Sequence, residues 1–510
     1  MKRIIYILSL CFTLGLSSCN DYLTVNSPDQ LTSASFWRSK QDVESALASA
    51  YSQMYMMQYS DDEWSFSEVK WPVEGYRGDD VNMGNDAMNY PNWVDLYNFT
   101  YTNGNSQFSM YWSGCYRGIS YANQIIAKLD EVPEATLNAT DRAHLLAEAK
   151  FLRGYYHMML LLNWENIVIR DSYITSGEAS ALDKALATRP EAWDFIIKDL
   201  TDATTLPQSY DADNVGRATS GAAYAYLGWA YLTRASEESA QKTQYLTSAV
   251  DAFNKVTGYT LEKNFAGLFN GSMKNNKESI FEMQFSLSDA NGALYRTQLH
   301  RWTGCAELMG WDEILPSNAL MKAFMEEGQT ATTGLYDSRL YQSVFYQCDY
   351  FNDGTGKVYG KNYDDWFNTD GKAYNRPAFR KLMPATIEGL ELDESDINIP
   401  LMRYANVMLM KAEALNGLGR PTDAIPLINQ VRSVHGDMPA MKGTDATAVQ
   451  SQIEHERMIE FPLENLRWYD LRRWGKTDAA LKAARRTGFD NSKLFYPTPQ
   501  TELNANPLAK

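Results

Sequence analysis

Two stretches of this chain repeat one spacing of small and large apolar residues, and that spacing restricts the fold more than any other feature of the sequence. In one, Leu227, Gly228 and Tyr231 are followed by Ala249, Phe253 and Val256; in the other, Ala412 and Leu415 are followed by Ala424, Ile428 and Val431. Small residues facing a neighbouring helix let two backbones approach, and the large residues after them fill the space to either side. Any helical hairpin gives one such match. Two in one chain predict stacked pairs of helices, separated here by a long stretch of a different character.

Helical periodicity also runs from Phe36-Trp37 through Val43, Ala46, Leu47, Ala50 and Tyr51. It returns over residues 116–130, 142–164, 193–200 and 222–232, and again from 400 to 474. Residues 60–112 break the rhythm with Asn, Gly, Asp and Pro and predict a long loop region. Alternation over 280–285 predicts a strand or hairpin, and 286–400 reads as an irregular, aromatic-rich insert. The expected fold is mainly α: a tetratricopeptide-like helical-repeat scaffold with long aromatic-rich loop inserts and a few short strands, forming a single domain over 31–510.

Lys2 and Arg3 precede an apolar run over 4–16, then Ser17, Ser18 and Cys19. Residues 1–18 therefore read as a cleaved export signal, shorter than the roughly 20 apolar residues of a membrane span. Leu16-Ser17-Ser18-Cys19 resembles the bacterial lipobox, which implies Cys19 as the lipidated first residue of the mature chain and 19–30 as a leash. The formal net charge is −16, and no basic stripe interrupts it, which argues against nucleic acid as a partner. Beyond Cys19 only Cys115, Cys305 and Cys348 remain, an odd number without metal-ligand spacing, so disulfide pairing stays open.

No motif for catalysis stands out. His455-Glu456 lacks the second histidine of a zinc helix, and no phosphate-cradling glycine loop or Gly-x-Ser-x-Gly elbow occurs. Acidic pairs such as Asp79-Asp80 and Asp364-Asp365 are too common in an acidic chain to mark a glycosidase, whose two carboxyls must be placed by the fold. Glu456-Arg457 and Asp470 with Arg472 and Arg473 are expected to lock helices together as ion pairs or caps. The run Asn352-Asp353-Gly354-Thr355-Gly356 lacks the spaced carboxylates of a calcium loop and reads as a turn. Neither metal nor cofactor is expected.

Several motifs, taken in order, resemble the SusD/RagB family of nutrient-binding outer-membrane lipoproteins. Near the amino terminus these are Phe36-Trp37 with Ala46 and Tyr51, Trp112 with Ala122-Asn123, and Ala147-Glu148-Ala149-Lys150-Phe151-Leu152-Arg153-Gly154-Tyr155-Tyr156. Gly216-Arg217-Ala218-Thr219 resembles the family's middle. The most specific matches are Arg403-Tyr404-Ala405, Ala412-Glu413-Ala414-Leu415-Asn416, His455-Glu456-Arg457, the run from Arg467-Trp468 to Trp474-Gly475, and Asn504-Ala505-Asn506-Pro507. Glu464-Asn465-Leu466 departs from the family, where a glycine is common, and puts a local turn in doubt. The resemblance implies a non-catalytic, lipid-anchored protein on the outer membrane, facing the cell exterior. It further implies an oligosaccharide ligand and a SusC-like TonB-dependent transporter as partner. Its alternatives are a peptide-binding, RagB-like receptor and a surface glycan hydrolase.

A sugar ring offers an apolar C–H face and a rim of hydroxyls, so its receptor needs flat aromatic rings flanked by donors and acceptors. Residues 64–112 hold 12 aromatics in 49 positions, about twice the chain's 13%, with Arg77, Asp79, Asn92, Trp93 and Tyr97 among them. A second cluster is Tyr295, Arg296, Trp302 and Trp311, and a third is Tyr363, Asp364 and Trp366. Trp112, beside a helix start, reads as core. Because the resemblance implies a ligand held by an early loop and the central insert, Trp93 and Trp302 are the leading pair, with Arg77, Asp79, Asn92, Tyr295 and Trp311 around them.

Overall fold

The computed structural model describes residues 36–55, 66–176, 178–288, 296–368 and 376–510. In its first half the scaffold helices are α1 (Lys40–Ser52), α2 (Phe66–Glu74), α3 (Pro91–Asn98), α4 (Ser106–Lys128), α5 (Ala139–Asn163), α6 (Arg189–Asp202), α7 (Ser220–Glu237) and α8 (Lys242–Phe253). A short α9 (Leu299–Thr303) lies in the insert, followed by α10 (Tyr404–Gly417), α11 (Pro421–His435), α12 (Ala446–Glu460) and α13 (Arg467–Arg473). Helix starts fall where a side chain can accept the free N–H groups of a first turn. Asn105, Asn138 and Thr219 do so for α4, α5 and α7, and Thr188 with Glu191 forms a reciprocal box ahead of α6.

Successive helices pack on one another from α4 to α8; α8 then lies on α10, so the array continues across the insert. α10 pairs with α11, and α12 packs on both. The small residues at these interfaces are sterically required. A Cβ on Gly228 of α7 would stand 2.4 Å from the Phe253 ring of α8, and one on Gly118 of α4 would stand 2.3 Å from Tyr156 of α5. The fold is thus mainly helical with few short strands, as the spacing predicts.

The insert leaves through β2 (Ser279–Met283) and returns through β6 (Ile399–Arg403), which pair antiparallel with Phe281 opposite Met402. The alternation over 280–285 therefore finds its partner at the far end of the insert and not in a local hairpin. β1 (Val81–Met83) pairs with β3 (Ile314–Pro316), and β4 (Val344–Phe345) pairs with β5 (Ala378–Phe379). The loop expected over 60–112 is corrected: its described part holds α2, β1, α3 and the start of α4. Two prolines obscured this, Pro72 inside α2 and Pro91 in the first turn of α3, where the missing N–H has no helical partner to lose. No helix among the described residues is long and apolar enough to cross a membrane.

The charged motifs lock helices, as expected. Arg457 of α12 holds Asp470 of α13 at 2.7 Å, and Arg473 holds both Asp470 (2.8 Å) and Glu413 of α10 (2.6 Å). Arg472 caps α5 by donating to the Leu162 carbonyl at 2.6 Å. In the amino-terminal half, Tyr51 donates to Glu148 at 2.6 Å while Arg217 pairs with Glu148 and Glu44. The turn at the departure from the family is made by Asn465 at φ 57°, a left-handed conformation that asparagine tolerates better than most residues. Cys305 and Cys348 are free thiols, and Cys115 is buried.

A larger group joins the insert to the carboxy-terminal helices. Arg339 bonds Asp337, Glu456 and Glu460; Arg403 bonds Glu278, Glu460 and Glu464; His435 bridges Glu460 (2.9 Å) and Glu278 (3.0 Å). Glu278, His435 and Glu460 are metal-ligand types, but Arg403 already bonds both glutamates. Burial favours the neutral imidazole, yet Glu460 and Glu278 together outweigh it and hold His435 up at about 9.

Removing one member of a buried ion pair strands its partner, so Arg403→Met is expected to cost about 3–5 kcal/mol in urea unfolding. His435 binds its proton more tightly folded than unfolded, where its pKa is about 6.5. Its contribution is therefore complete below pH 6.5 and is lost as the pH rises through 9. Urea midpoints measured from pH 6 to 10 are expected to fall less steeply in His435→Gln than in the parent.

Candidate functional site

The β1–β3 ribbon ties the early segment to the insert and sets the site's frame. Asn82 lies opposite Leu315, and Gly84 donates its N–H to the Glu313 carbonyl at 2.9 Å. Only glycine fits here, because a Cβ would fall 1.7 Å from the Asp312 carbonyl oxygen. Beside the ribbon, α3 begins at Pro91, and Trp93 and Leu96, three positions apart, turn inward together. All of α9 is buried, which brings Trp302 into the same layer.

These rings form a continuous series. Tyr90 lies 4.3 Å from Trp93, Trp93 meets Trp302 edge to face at 6.2 Å, and Trp302 lies 5.7 Å from Tyr76. Their exposures decide their roles. Trp302 is 0% exposed and Trp93 3%, whereas Tyr90, at the open end, is 37% exposed. Nearby in the chain, Met88 and Met309 are exposed and Trp311 is half-buried.

The leading pair is therefore corrected: Trp93 and Trp302 underlie the surface and do not form it. Arg77 is wholly buried, bonded to Asn163, with its guanidinium 4.0 Å from the Tyr496 ring centre and 4.6 Å from that of Trp468. Asp79 is buried in a two-bond pair with Arg467 at 2.6 and 3.0 Å. Both belong to the core, placed there by a 3-10 turn (Gly75–Arg77) that the loop reading did not foresee. Asn92 is exposed and donates to Ser106 at 2.8 Å, and Trp311 donates its backbone N–H to the Arg301 carbonyl at 2.7 Å. Tyr295 and Cys19 lie outside the described residues. Trp112 is core, as expected, and donates to Glu502 at 3.1 Å. The sequence reading passed over Tyr90. Its signal was its place just before Pro91, where the helix starts and the ring is left on the outer side.

Acidic residues the sequence did not single out lie under this face. Arg376 pairs with Glu307 (2.8 Å) and Asp312 (2.7 Å), and Asp312 also accepts the Asn85 N–H at 3.1 Å. Glu313 is 1% exposed; burial first, then Asp86 and Asp312, push its carboxyl up to about 9, so it is a neutral acid at pH 7. Partial burial and then Glu313 also raise the Tyr90 hydroxyl.

Comparison with known proteins agrees with this architecture. Residues 277–508 match the model of the SusD family, and residues 21–232 match a model described as starch-binding and associating with the outer membrane. The chain is 25% identical to SusD-like protein P38 of Formosa agariphila over 99% of this chain and 98% of that one. Among solved structures, a SusD superfamily protein from Bacteroides vulgatus superposes with a TM-score of 0.76 at 25% identity, covering 93% of this chain and 99% of that one. A laminarin-binding SusD-like protein superposes with a TM-score of 0.71 at 24% identity, covering 92% and 98%.

Stability separates the supporting rings from the exposed one. Trp302→Ala is expected to cost about 3–5 kcal/mol, as for a core tryptophan, whereas Tyr90→Ala should stay within about 0.5 kcal/mol of the parent; urea melts check both. Glu313 carries its proton from pH 4.5 to about 9 in the folded chain but loses it near 4.5 when unfolded, so stability drains as the pH rises across that window. Glu313→Gln should remove this loss, seen as a flatter plot of melting temperature against pH.

Proposed function

Because the chain is a member of the SusD-like family, we propose that it is a lipoprotein of the outer-membrane surface that captures oligosaccharides and delivers them to a SusC-like TonB-dependent transporter, catalysing nothing itself. The observation that carries this reading is the open end of the ring series: Tyr90 faces solvent with Trp93 and Trp302 packed behind it. A ring fixed from behind loses little freedom on binding, and stacking it on a sugar removes apolar area from water at about 25 cal/mol per Å². Asn92, exposed two positions further on, is a polar contact beside it. The laminarin-binding relative supports glycan as the ligand class, and the starch-binding, outer-membrane description of the amino-terminal match supports the location.

Glu313 beside Asp86 invites a hydrolase reading, since a pair of carboxyl groups is what glycoside hydrolysis employs. The burial of Glu313 speaks against it: a carboxyl sealed under the surface has no route to a glycosidic oxygen. Its role in this reading is to position Tyr90 from below.

Calorimetric titration with laminarin oligosaccharides is the first test. Tyr90→Ala is expected to weaken binding about tenfold, which corresponds to about 1.4 kcal/mol, with no reducing ends released by the parent protein. Unchanged affinity would remove Tyr90 from the site, and released sugar would make the protein an enzyme. Anchoring rests on acyl chains at Cys19, each buried methylene contributing about 0.8 kcal/mol. Cys19→Ala should therefore appear in the soluble fraction; retention on membranes after high-salt washing, with the transporter absent, would contradict a lipid anchor.

A further inference from the structure

In a chain of formal net charge −16, one cavity walled mainly by the insert has only cations among its charged lining residues. It holds about 230 Å³, and its wall carries Lys357, Arg380 and Lys381 with no Asp or Glu. Lys381 is neutralised by Glu464 at 2.7 Å. The other two have no carboxylate partner among the described residues. Arg380 donates one N–H to the Tyr341 carbonyl at 2.8 Å and lies 5.3 Å over the Phe345 ring, while Lys357 meets only the Asn352 carbonyl and the Asn362 amide oxygen. Burial pulls Arg380 below the ordinary arginine range. A guanidinium so placed has N–H groups left to offer, and an anion is the group it can gain most from.

The cavity rim is built at a cost in backbone strain. Val358 and Lys361 pair across a two-residue turn whose central residues, Tyr359 and Gly360, both take positive φ, 48° and 81°. Leu382, directly after Arg380 and Lys381, is at 66°. Bulky side chains seldom adopt this conformation, and it persists where the surroundings over-determine it, most often around ligands. Here the third aromatic cluster supplies the constraint. The Trp366 indole donates to the Val358 carbonyl at 2.8 Å, the Lys361 ammonium lies 4.4 Å over its ring, and Tyr359 donates to the Pro384 carbonyl at 2.8 Å.

We infer that this cavity is an oxyanion site, separate from the Tyr90 face, that takes the carboxylate of a single acidic sugar residue, a hexuronate, between Arg380 and Lys357. The remaining N–H groups of Arg380 present the forked geometry that matches a carboxylate, and the Lys357 ammonium adds the second charge. Asn270, whose Oδ1 is engaged by Ser272, keeps its N–H groups for a hydroxyl. The volume is below the ~300–1,000 Å³ of sites that enclose a drug-sized ligand, which suits one ring and not a longer chain. That the carboxylate is borne by a sugar rests on the glycan-binding reading; the preference for an oxyanion does not.

The test is calorimetric titration of the full mature protein with glucuronate, glucose and inorganic sulfate at low salt. Glucuronate is expected to bind at one site at least tenfold more tightly than glucose. Arg380→Gln and Lys357→Gln should each weaken it tenfold or more while leaving laminarin-oligosaccharide affinity unchanged, and Tyr90→Ala should do the reverse. Should Arg380→Gln fail to fold, Lys357→Gln, a change to an exposed side chain, decides alone. Equal binding of glucose and glucuronate, or full glucuronate affinity in Lys357→Gln, overturns the site. Saturable sulfate binding with no glucuronate binding overturns its assignment to a sugar acid. Glucuronate binding without laminarin binding in the parent upholds this site while counting against the proposed function of the Tyr90 face.

Discussion

Glu460 accepts hydrogen bonds from Arg339, Arg403 and His435 at once, and none of the four side chains reaches water. Burial alone would favour the neutral acid, but His435 and Arg403 together hold its carboxyl well below the usual range. Such a group is costly to desolvate and rigid once satisfied, because every donor and acceptor has one geometry in which it is paired. Its members come from α11, α12, β6, the residue before β2 and the insert. It therefore fixes where the insert sits on the helices, and every later feature of the molecule inherits that placement.

The insert, so fixed, carries half of each surface described above. It brings α9 and β3 against the early segment, which seats Trp302 behind Trp93 and leaves Tyr90 outside. It also carries β4, β5 and the 358–361 turn around the cationic cavity. The helical array supplies a floor that does not yield: Gly228 against Phe253 and Gly118 against Tyr156 leave no slack for one helix to slide on the next. Binding groups are thus presented by short elements on a rigid base, an arrangement that spares a ligand the entropy of ordering them.

Local rules made the scaffold legible. The small-and-large spacing identified α7 with α8 and α10 with α11, since helix pairing needs close approach at fixed intervals. Glu456-Arg457 and Asp470 with Arg473 are legible as helix locks too, because charges on the inner side of apolar helices must find partners. The site was less legible, for a physical reason. Tryptophan serves cores and sugar platforms equally well, so Trp93 and Trp302 gave no sign of which side of the surface they occupy. That was set by the α3 helix, hidden behind Pro91 in a segment rich in turn residues, and by a strand pairing between β1 and β3 that no local pattern announces. Glu313 and Asp86 are brought together by the same long-range pairing.

The central claim is that ligand meets the Tyr90 face while the buried charge cluster only holds that face in place. Amide hydrogen exchange with and without laminarin oligosaccharide measures this directly, since it reports protection along the whole chain. The account predicts ligand-induced slowing confined to residues 84–97 and 301–313, with amides of α11 and α12 as slow in the free protein as in the bound one. Slowing centred on the helix pairs α7–α8 or α10–α11, with residues 84–97 unchanged, would contradict it and place the binding surface on the helical array.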